Sequence, residues 1–229
     1  MRFSMNVQTQ KYTRLTKMSR LGAIANVSFS AAVYLGGCSS ANSESDITNG
    51  DFRNADLSYS SLHDTLATNS NFRSADLTNT DLSGSTFNNA SFWNADLTNA
   101  DLVISNLIGA DLSYADLTNA DFYQADLIDA SLRYADLTGA DLIYANLTGA
   151  TLGYATLLAT FNSADLTDAN LNHADLSSAW LHYTKLNGAN LSRADLTNAD
   201  IKGADLSNAK LNVADLSDAD FHDVNLSNA

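Results

Sequence analysis

The letters ADLTNAD occupy Ala95–Asp101 and return at Ala115–Asp121, and the near copy ADLTGAD follows at Ala135–Asp141. Throughout this stretch a Leu or Phe recurs every five residues, and a small residue, usually Ala, stands two places before it. A five-residue period fits neither the turn of a helix nor the alternation of a strand. It predicts a chain that turns a corner every five residues, so that twenty residues form one square coil.

The run A-[DN]-L-x-x resembles the pentapeptide-repeat family, and the resemblance covers residues 51–229. It implies an all-β fold, a right-handed quadrilateral β-helix, in which the Leu or Phe (here called the centre) and the Ala point inward. We expect about nine coils, which at a ladder spacing of ~4.8 Å form a rod roughly 43 Å long. One repeat cannot bury its apolar side chains alone, so stability should be close to a sum of coil and neighbour terms.

The centres permit three specific expectations. Phe52, Phe72 and Phe92 are twenty residues apart, so their rings should stack inside the rod. At Ala67 a large centre is missing and Leu66 comes one place early, which predicts a bulge. The step from Leu157 to Phe161 is four residues, but the long phrase continues beyond it, so this deletion should not break the coil.

The amino-terminal residues differ in charge from the rest of the chain. Residues 1–37 contain five basic residues and no acidic one, whereas residues 38–229 carry a net charge of −19. A modestly apolar run, 21–35, leads into Leu35-Gly36-Gly37-Cys38. This succession is typical of a secretory signal, and its last four residues resemble the bacterial lipobox, whose Cys receives a diacylglycerol.

The predicted organisation is therefore a lipoprotein-type signal peptide at 1–37, a lipidated Cys38 with a flexible tether at 38–50, and the β-helix at 51–229. The implied location is extracytoplasmic and membrane-anchored, in a bacterial cell envelope. Two alternatives stay open at this point. The leader could be an ordinary signal peptide with an unmodified thiol, and Met18 could be the true start.

The twenty-residue period sorts the outer residues onto four faces, numbered from the face of Phe52. Faces 2 and 4 place Asn or Gly at the second residue after the centre, where a type II turn demands positive φ. Face 1 differs, and its outer positions predict an interaction surface, because Arg, Tyr and Trp dominate binding hot spots. This surface comprises Arg53, Arg73, Trp93, Tyr114, Arg133, Tyr134, Tyr154, His173 and Arg193. Its tyrosines are expected at turns without a positive-φ demand. The opposite face 3 carries Tyr123, Tyr144, Trp180, His182, Tyr183, Lys202 and His222.

No residue pattern in the chain predicts catalysis. Nucleophile elbows, phosphate-binding loops and dinucleotide fingerprints are absent from the sequence, and the four His fit no metal spacing. We therefore expect no enzyme, no cofactor and no metal. An Asp column precedes the centres of face 2, from Asp56 to Asp215. It could bind cations or imitate nucleic-acid phosphates, but the favoured interpretation is that Asp caps local backbone.

Two functional hypotheses follow. The first is a non-catalytic structural or protein-interaction scaffold, anchored to a membrane through a lipid on Cys38, with an unidentified protein or envelope partner. The alternative is a DNA-mimicking protein that binds DNA gyrase, as some members of the family do, in the cytoplasm if the leader is not a signal. The acidic charge disfavours direct nucleic-acid binding. The last repeat, including Phe221 and Leu226, also predicts a weak end-to-end homodimer.

Overall fold

The computed structural model describes residues 45–229, so the predicted signal peptide, Cys38 and part of the predicted tether lie outside the described residues. Within residues 45–229 no helix is present, and thus none that could span a lipid bilayer. The strands β1 (Ser45–Asp46) and β2 (Thr65–Leu66) pair in parallel, with Ser45 opposite Thr65. The remaining coils are joined by single-residue parallel bridges, which link the residue before each centre to its equivalent one coil further on.

A five-residue unit with Asp before its centre can satisfy all of its backbone N–H groups, as residues 95–99 illustrate. Ala95 donates to the carbonyl of the preceding centre at 2.9 Å, and Asp96 donates to the preceding coil at 3.0 Å. Leu97 and Asn99 donate to the following coil at 2.7 and 2.9 Å. The fifth N–H, that of Thr98, donates to Oδ1 of Asp96 at 3.0 Å. Because buried or half-buried N–H groups need partners, this Asp side chain completes the unit.

The corners have the same backbone conformation on all four faces. Apart from the shortened corner after Leu157, the second residue after each centre has positive φ, from 51° at Asp64 to 74° at Gly139. The expectation that the tyrosine corners of face 1 lack this demand is wrong, because Tyr114, Tyr134 and Tyr154 have φ of 59° to 62°. A square coil must turn equally at each corner, so closure of the corner imposes the left-handed conformation whatever residue stands there.

The structure confirms the prediction for one of the two irregularities in the repeat and contradicts it for the other. The predicted bulge near Leu66 is wrong, because Ala67 occupies the centre fully buried and Leu66 keeps the regular bridge position. The small centre simply leaves the register intact. The four-residue step is confirmed as harmless. There the N–H of Ala159 donates to the carbonyl of Leu157 at 2.8 Å, so a three-residue turn replaces the usual four-residue one.

The core is a continuous column of centres and small residues along the axis, with nearly all large centres from Phe72 to Leu206 fully buried. The predicted phenylalanine stack is confirmed. The rings of Phe52, Phe72 and Phe92 are successively 5.0 Å apart and nearly parallel. Phe87 packs edge-on against this stack, at 5.9 Å from Phe72 and 5.2 Å from Phe92. Burial therefore restricts the centres and the small residues, while the outward-facing positions of the described rod vary more widely.

Candidate interaction surface

Charge is segregated between the faces of the described rod. Among residues 45–229, face 1 carries five basic side chains and two acidic ones. These are Arg53, Arg73, Arg133, Arg193 and Lys210, with Asp51 and Asp111. Face 2 carries nine acidic side chains and no basic one. These are Asp56, Asp76, Asp96, Asp116, Asp136, Asp175, Asp195, Asp215 and Asp218. Face 1 is therefore a positive surface on a strongly acidic rod, which favours contact with a partner of opposite charge.

A continuous row of stacked side chains runs along face 1, and we call it the aromatic ladder. Its members, in axial order, are Arg73, Trp93, Tyr114, Tyr134, Tyr154, His173 and Arg193. From Tyr114 to His173, consecutive ring centroids are 4.6 to 5.0 Å apart, with interplanar angles of 9° to 12°. Trp93 meets Tyr114 edge-on at 5.8 Å. The spacing of coils at ~4.8 Å thus sets the spacing of the rings.

The two ends of the aromatic ladder are cationic. The guanidinium carbon of Arg73 lies 4.5 Å from the centre of the Trp93 ring, within the range of a cation–π contact. At the other end, Nη1 of Arg193 lies 3.5 Å from Nε2 of His173. From Tyr114 to His173 the rings face one another along the axis, so their edges are turned outward. A partner would therefore meet ring edges and tyrosine hydroxyls between two guanidinium groups.

The ladder contains seven of the nine residues predicted for the surface, and the other two lie apart from its stack. Arg133 flanks it, with its guanidinium carbon 5.9 Å from the Tyr134 ring centre. Arg53 forms a two-pronged contact with Asp51, at 2.9 Å from Nε and 2.7 Å from Nη2. Hydrogen bonding to this guanidinium lowers the pKa of Asp51 and raises that of Arg53. Arg53 therefore adds little positive charge to face 1.

The tyrosines of the ladder occupy an unfavourable backbone conformation. A non-Gly residue with left-handed φ costs about 1–2 kcal/mol, and for a bulky side chain it is uncommon. Each stacked aromatic pair contributes about 0.5–1.5 kcal/mol. Tyr134 makes two such pairs, so its stacking offsets a cost of the same size. The ladder is therefore close to neutral for folding, and stability alone gives no reason to prefer Tyr over Asn there.

The Asp column of face 2 caps backbone, as favoured from the sequence. Oδ1 of the Asp accepts the N–H of the residue after the centre, as Asp116 does for Thr118 at 3.0 Å and Asp136 for Thr138 at 2.9 Å. Within residues 45–229, no cluster of three His, Cys, Asp or Glu side chains could hold a metal ion. The column is thus explained by local hydrogen bonding.

The sequence matches the family model for pentapeptide repeats in eight copies, which together run from residue 43 to residue 229. The chain is a pentapeptide-repeat protein. The expected right-handed quadrilateral β-helix is thereby confirmed, since solved pentapeptide-repeat structures similar to the chain have that fold. Proteins of this family are generally structural or interaction proteins rather than enzymes.

Two solved pentapeptide-repeat structures resemble the chain over most of their lengths. HetL of the cyanobacterium Nostoc sp. strain PCC 7120, involved in heterocyst differentiation regulation, is 32% identical, with 77% of this chain and 82% of HetL covered and a TM-score of 0.59. A trypsin-treated variant of QnrB1, a plasmid-mediated fluoroquinolone resistance protein, is 26% identical, with 71% and 83% covered and a TM-score of 0.65. No curated protein sequence matches the chain significantly.

The sequence patterns identified the residues of the aromatic ladder, but the scarcity of acidic side chains on face 1 was missed. The signal was the column before the centres, where face 1 has Asn, Ser or Thr at most coils instead of Asp. Lys210 stands in that column and was also missed. The residues after the centres therefore indicate the arginines of face 1, whereas the low number of carboxylates around them is evident only from the residues before the centres.

Proposed function

We propose that this pentapeptide-repeat protein is a non-catalytic interaction scaffold, held at a bacterial membrane through a lipid on Cys38, which presents face 1 to a protein or envelope partner. The observation that carries the proposal is the aromatic ladder on the positive face of an otherwise acidic rod. Stacked Tyr, Trp and Arg side chains are rigid, so binding through them costs little side-chain entropy. Arg, Tyr and Trp are also the residues that contribute most to binding hot spots.

The membrane part of the proposal rests on the leader. Its basic start, short apolar run and Leu35-Gly36-Gly37-Cys38 ending are the features of an acylated precursor. A lipid would be needed to keep the rod at a membrane, because a surface with a net charge of −19 is repelled by anionic lipids. A second lipid-binding signal would strengthen a single anchor, and an amino-terminal diacylglycerol supplies two chains.

One observation favours the gyrase-binding alternative. Residues 38–229 carry roughly one net negative charge per 2.3 Å of rod, compared with about one per 1.7 Å of B-DNA axis. The likeness to QnrB1, a fluoroquinolone resistance protein, is in keeping with this alternative. The positive face 1, however, is a feature that a DNA mimic does not need. A signal peptide would also place the rod where no gyrase is present.

The anchor is tested by mass spectrometry of the native protein. We expect an amino terminus at Cys38 carrying a diacylglycerol, and we expect a Cys38→Ser variant to move from the membrane fraction to the soluble one. An intact leader with an unmodified Cys38, in a cytoplasmic protein that inhibits gyrase supercoiling, would support the alternative instead.

The contact surface is tested by replacing Arg133 and Tyr134 together with Ser and identifying cross-linked partners in cells. Both side chains point outward, so folding should persist while partner recovery falls at least tenfold. The matched control replaces Tyr59 and Lys202 with Ser, which removes one tyrosine and one cation from faces 2 and 3. Equal partner recovery by the Arg133/Tyr134 variant and the wild type would show that face 1 is not the contact surface.

A further inference from the structure

Face 3 carries an apolar strip that neither the aromatic ladder nor the proposed anchor uses. Its residues, which we call the face 3 strip, are Val103, Ile104, Tyr123, Ile143, Tyr144 and Tyr183. Within the strip, the rings of Tyr123 and Tyr144 pack edge to face with centroids 5.9 Å apart. Trp180, 59% exposed, extends the same apolar surface. Exposed apolar side chains grouped in this way mark interaction sites more often than those scattered singly.

The most exposed members of the strip stand on every second coil. Ile104, Tyr144 and Tyr183 are 61%, 56% and 63% exposed and occupy equivalent corner positions. The polar side chains of Gln124 and Ser163 occupy that position on the coils between them. Two coils measure about 9.6 Å along the axis, and seven residues of an α-helix measure about 10.5 Å. The strip therefore has the periodicity of one helix face with heptad spacing.

The backbone at these positions is strained for the residues that occupy it. Ile104 has φ of 57°, and a β-branched residue in the left-handed region is a genuine outlier. Asn occupies the corresponding corner position on face 2, for example at Asn79, Asn99 and Asn119, with φ of 55° to 56°. Folding would therefore favour Asn at position 104. Strained backbone of this kind is found preferentially at functional sites.

A row of carboxylates borders the first three coils of the strip, and Thr160 and Trp180 occupy the same column on the next two. Asp101, Asp121 and Asp141 precede the three centres, and their Oδ1 atoms cap the N–H groups of the next corner residues at 2.9 to 3.0 Å. No basic residue stands on face 3 between Asp101 and Tyr144. Over these three coils the apolar strip lies beside a continuous row of carboxylates, which is complementary to a partner that is apolar and basic.

From these observations we infer that face 3 is a second docking surface, whose partner is a cationic amphipathic α-helix lying along the rod. The apolar residues of this helix, which repeat every seven residues, would lie over Gln124 and Ser163. These two positions separate the projecting side chains of Ile104, Tyr144 and Tyr183. The lysines or arginines of the helix would face Asp101, Asp121 and Asp141. This surface lies opposite the aromatic ladder, so it does not depend on the function proposed for face 1. Together the two faces would let one rod hold partners of opposite charge.

The test measures binding of a defined helical peptide to the full-length chain by fluorescence anisotropy. The probe is three copies of the heptad Leu-Gln-Lys-Leu-Ala-Gln-Lys, and its control has the same composition with the leucines scrambled off a common face. We expect the heptad peptide to bind at least tenfold more tightly than the scrambled peptide at an ionic strength of about 0.15 M. A third peptide with Glu in place of Lys should not bind.

Two sets of variants separate apolar from electrostatic recognition. The pair Ile104→Asn and Tyr144→Asn removes the projecting side chains and relieves left-handed strain, so it should melt no lower than the wild type while losing at least tenfold in affinity. The triple change Asp101→Asn, Asp121→Asn and Asp141→Asn keeps the backbone caps, because Asn71 and Asn146 cap in the same way. It should weaken binding and flatten its dependence on salt.

The matched control is Tyr59→Asn, which changes an even more exposed left-handed tyrosine on face 2 and should leave affinity unchanged. Two results would overturn the inference. One is equal binding of the heptad and scrambled peptides, which would show non-specific attraction between a polycation and an acidic rod. The other is wild-type affinity in the folded Ile104/Tyr144 variant.

Discussion

At the scale of single residues, the most repeated role in this protein is that of the Asp before the centre. Its Oδ1 supplies the acceptor that the five-residue unit otherwise lacks, as Asp96 does for Thr98. Asn does the same where it replaces Asp, for instance Asn146 for Thr148 at 3.2 Å. The abundance of Asp is therefore explained by hydrogen-bond geometry, and its charge is a separate property.

This distinction predicts different outcomes for two substitutions at one position. Asp96→Ala leaves the N–H of Thr98 without its acceptor and should destabilise the rod by about 1 kcal/mol, the typical worth of a hydrogen bond. Asp96→Asn keeps the acceptor and should change stability by less than half of that amount. Thermal unfolding followed by circular dichroism measures both. Equal destabilisation by Ala and Asn would mean that the charge, and not the cap, matters.

Sequence reasoning at this scale succeeded for inward residues and was less complete for outward ones. The five-residue period identified the buried centres, because burial selects their side chains directly. It misjudged Ala67, since a small centre keeps the register that the hydrogen bonds between coils impose. It also misjudged the φ of Tyr134, because the geometry of the corner fixes the backbone there and tolerates almost any side chain.

At the scale of elements, the corner is the unit that tolerates change. The step from Leu157 to Phe161 removes one residue from a corner, and the bridges on either side continue at spacings of nineteen and then twenty. The sequence could predict this, because the long phrase resumes after the deletion. The three-residue turn at Leu157–Ala159 could not be predicted from the period alone, since other local conformations also shorten a corner.

Insertion of one Ser after Leu158 should therefore be well tolerated. It restores the five-residue step and allows a four-residue turn, so the midpoint of thermal unfolding should shift by no more than a few degrees. The same insertion after Asn99 creates a six-residue step in a regular corner and should lower the midpoint clearly more. Differential scanning calorimetry of the two variants makes the comparison. Comparable losses in both would show that corner length is not specially relaxed at Leu158.

The aromatic ladder is the other element whose energetics can be separated. Tyr134→Ala removes two stacking contacts but keeps a side chain with a Cβ in the left-handed conformation, so we expect a loss of about 1–2 kcal/mol. Tyr134→Asn removes the same contacts and introduces a residue that tolerates this conformation better, so the net change should be under about 1 kcal/mol. Chemical denaturation measures the difference. A larger loss for Asn than for Ala would contradict the balance of strain and stacking.

At the scale of the whole molecule, several carboxylates stabilise the folded state in a pH-dependent way. Hydrogen bonding to Arg53 lowers the pKa of Asp51. Burial raises the pKa of Asp165, but hydrogen bonds from Thr167 and Lys185 outweigh it and lower that pKa overall. A lowered folded-state pKa contributes stability above the unfolded value, near 3.9, and this stability is lost as pH falls through the folded-state pKa.

We therefore expect the melting temperature to be steady from about pH 7 to 5 and to fall below about pH 4. A variant with Asp51→Asn and Asp165→Asn lacks both titrating groups, so its decline in acid should be shallower than that of the wild type. Thermal melts at a series of pH values provide the measurement. Superimposable pH profiles would show that other groups dominate acid unfolding.

The end-to-end homodimer stays a prediction at this scale. In the described coil that contains them, Leu226 is 42% exposed and Phe221 is only partly buried. Pairing through so few apolar side chains would be weak and concentration-dependent. The segregation of charge between the faces could have been predicted from the sequence. That prediction requires only the twenty-residue register and the identity of the residue before each centre.

The bridges between residues nineteen or twenty apart also determine how the rod responds to mechanical force. Each coil is held only by its two neighbours, so tension along the chain breaks one rung of hydrogen bonds at a time. Each broken rung releases about twenty residues, or roughly 65 Å of extended chain. A rod anchored at Cys38 and pulled by a partner bound to face 1 would therefore lengthen in discrete increments under load. The coils that had not yet unfolded would keep both their core and their binding surfaces.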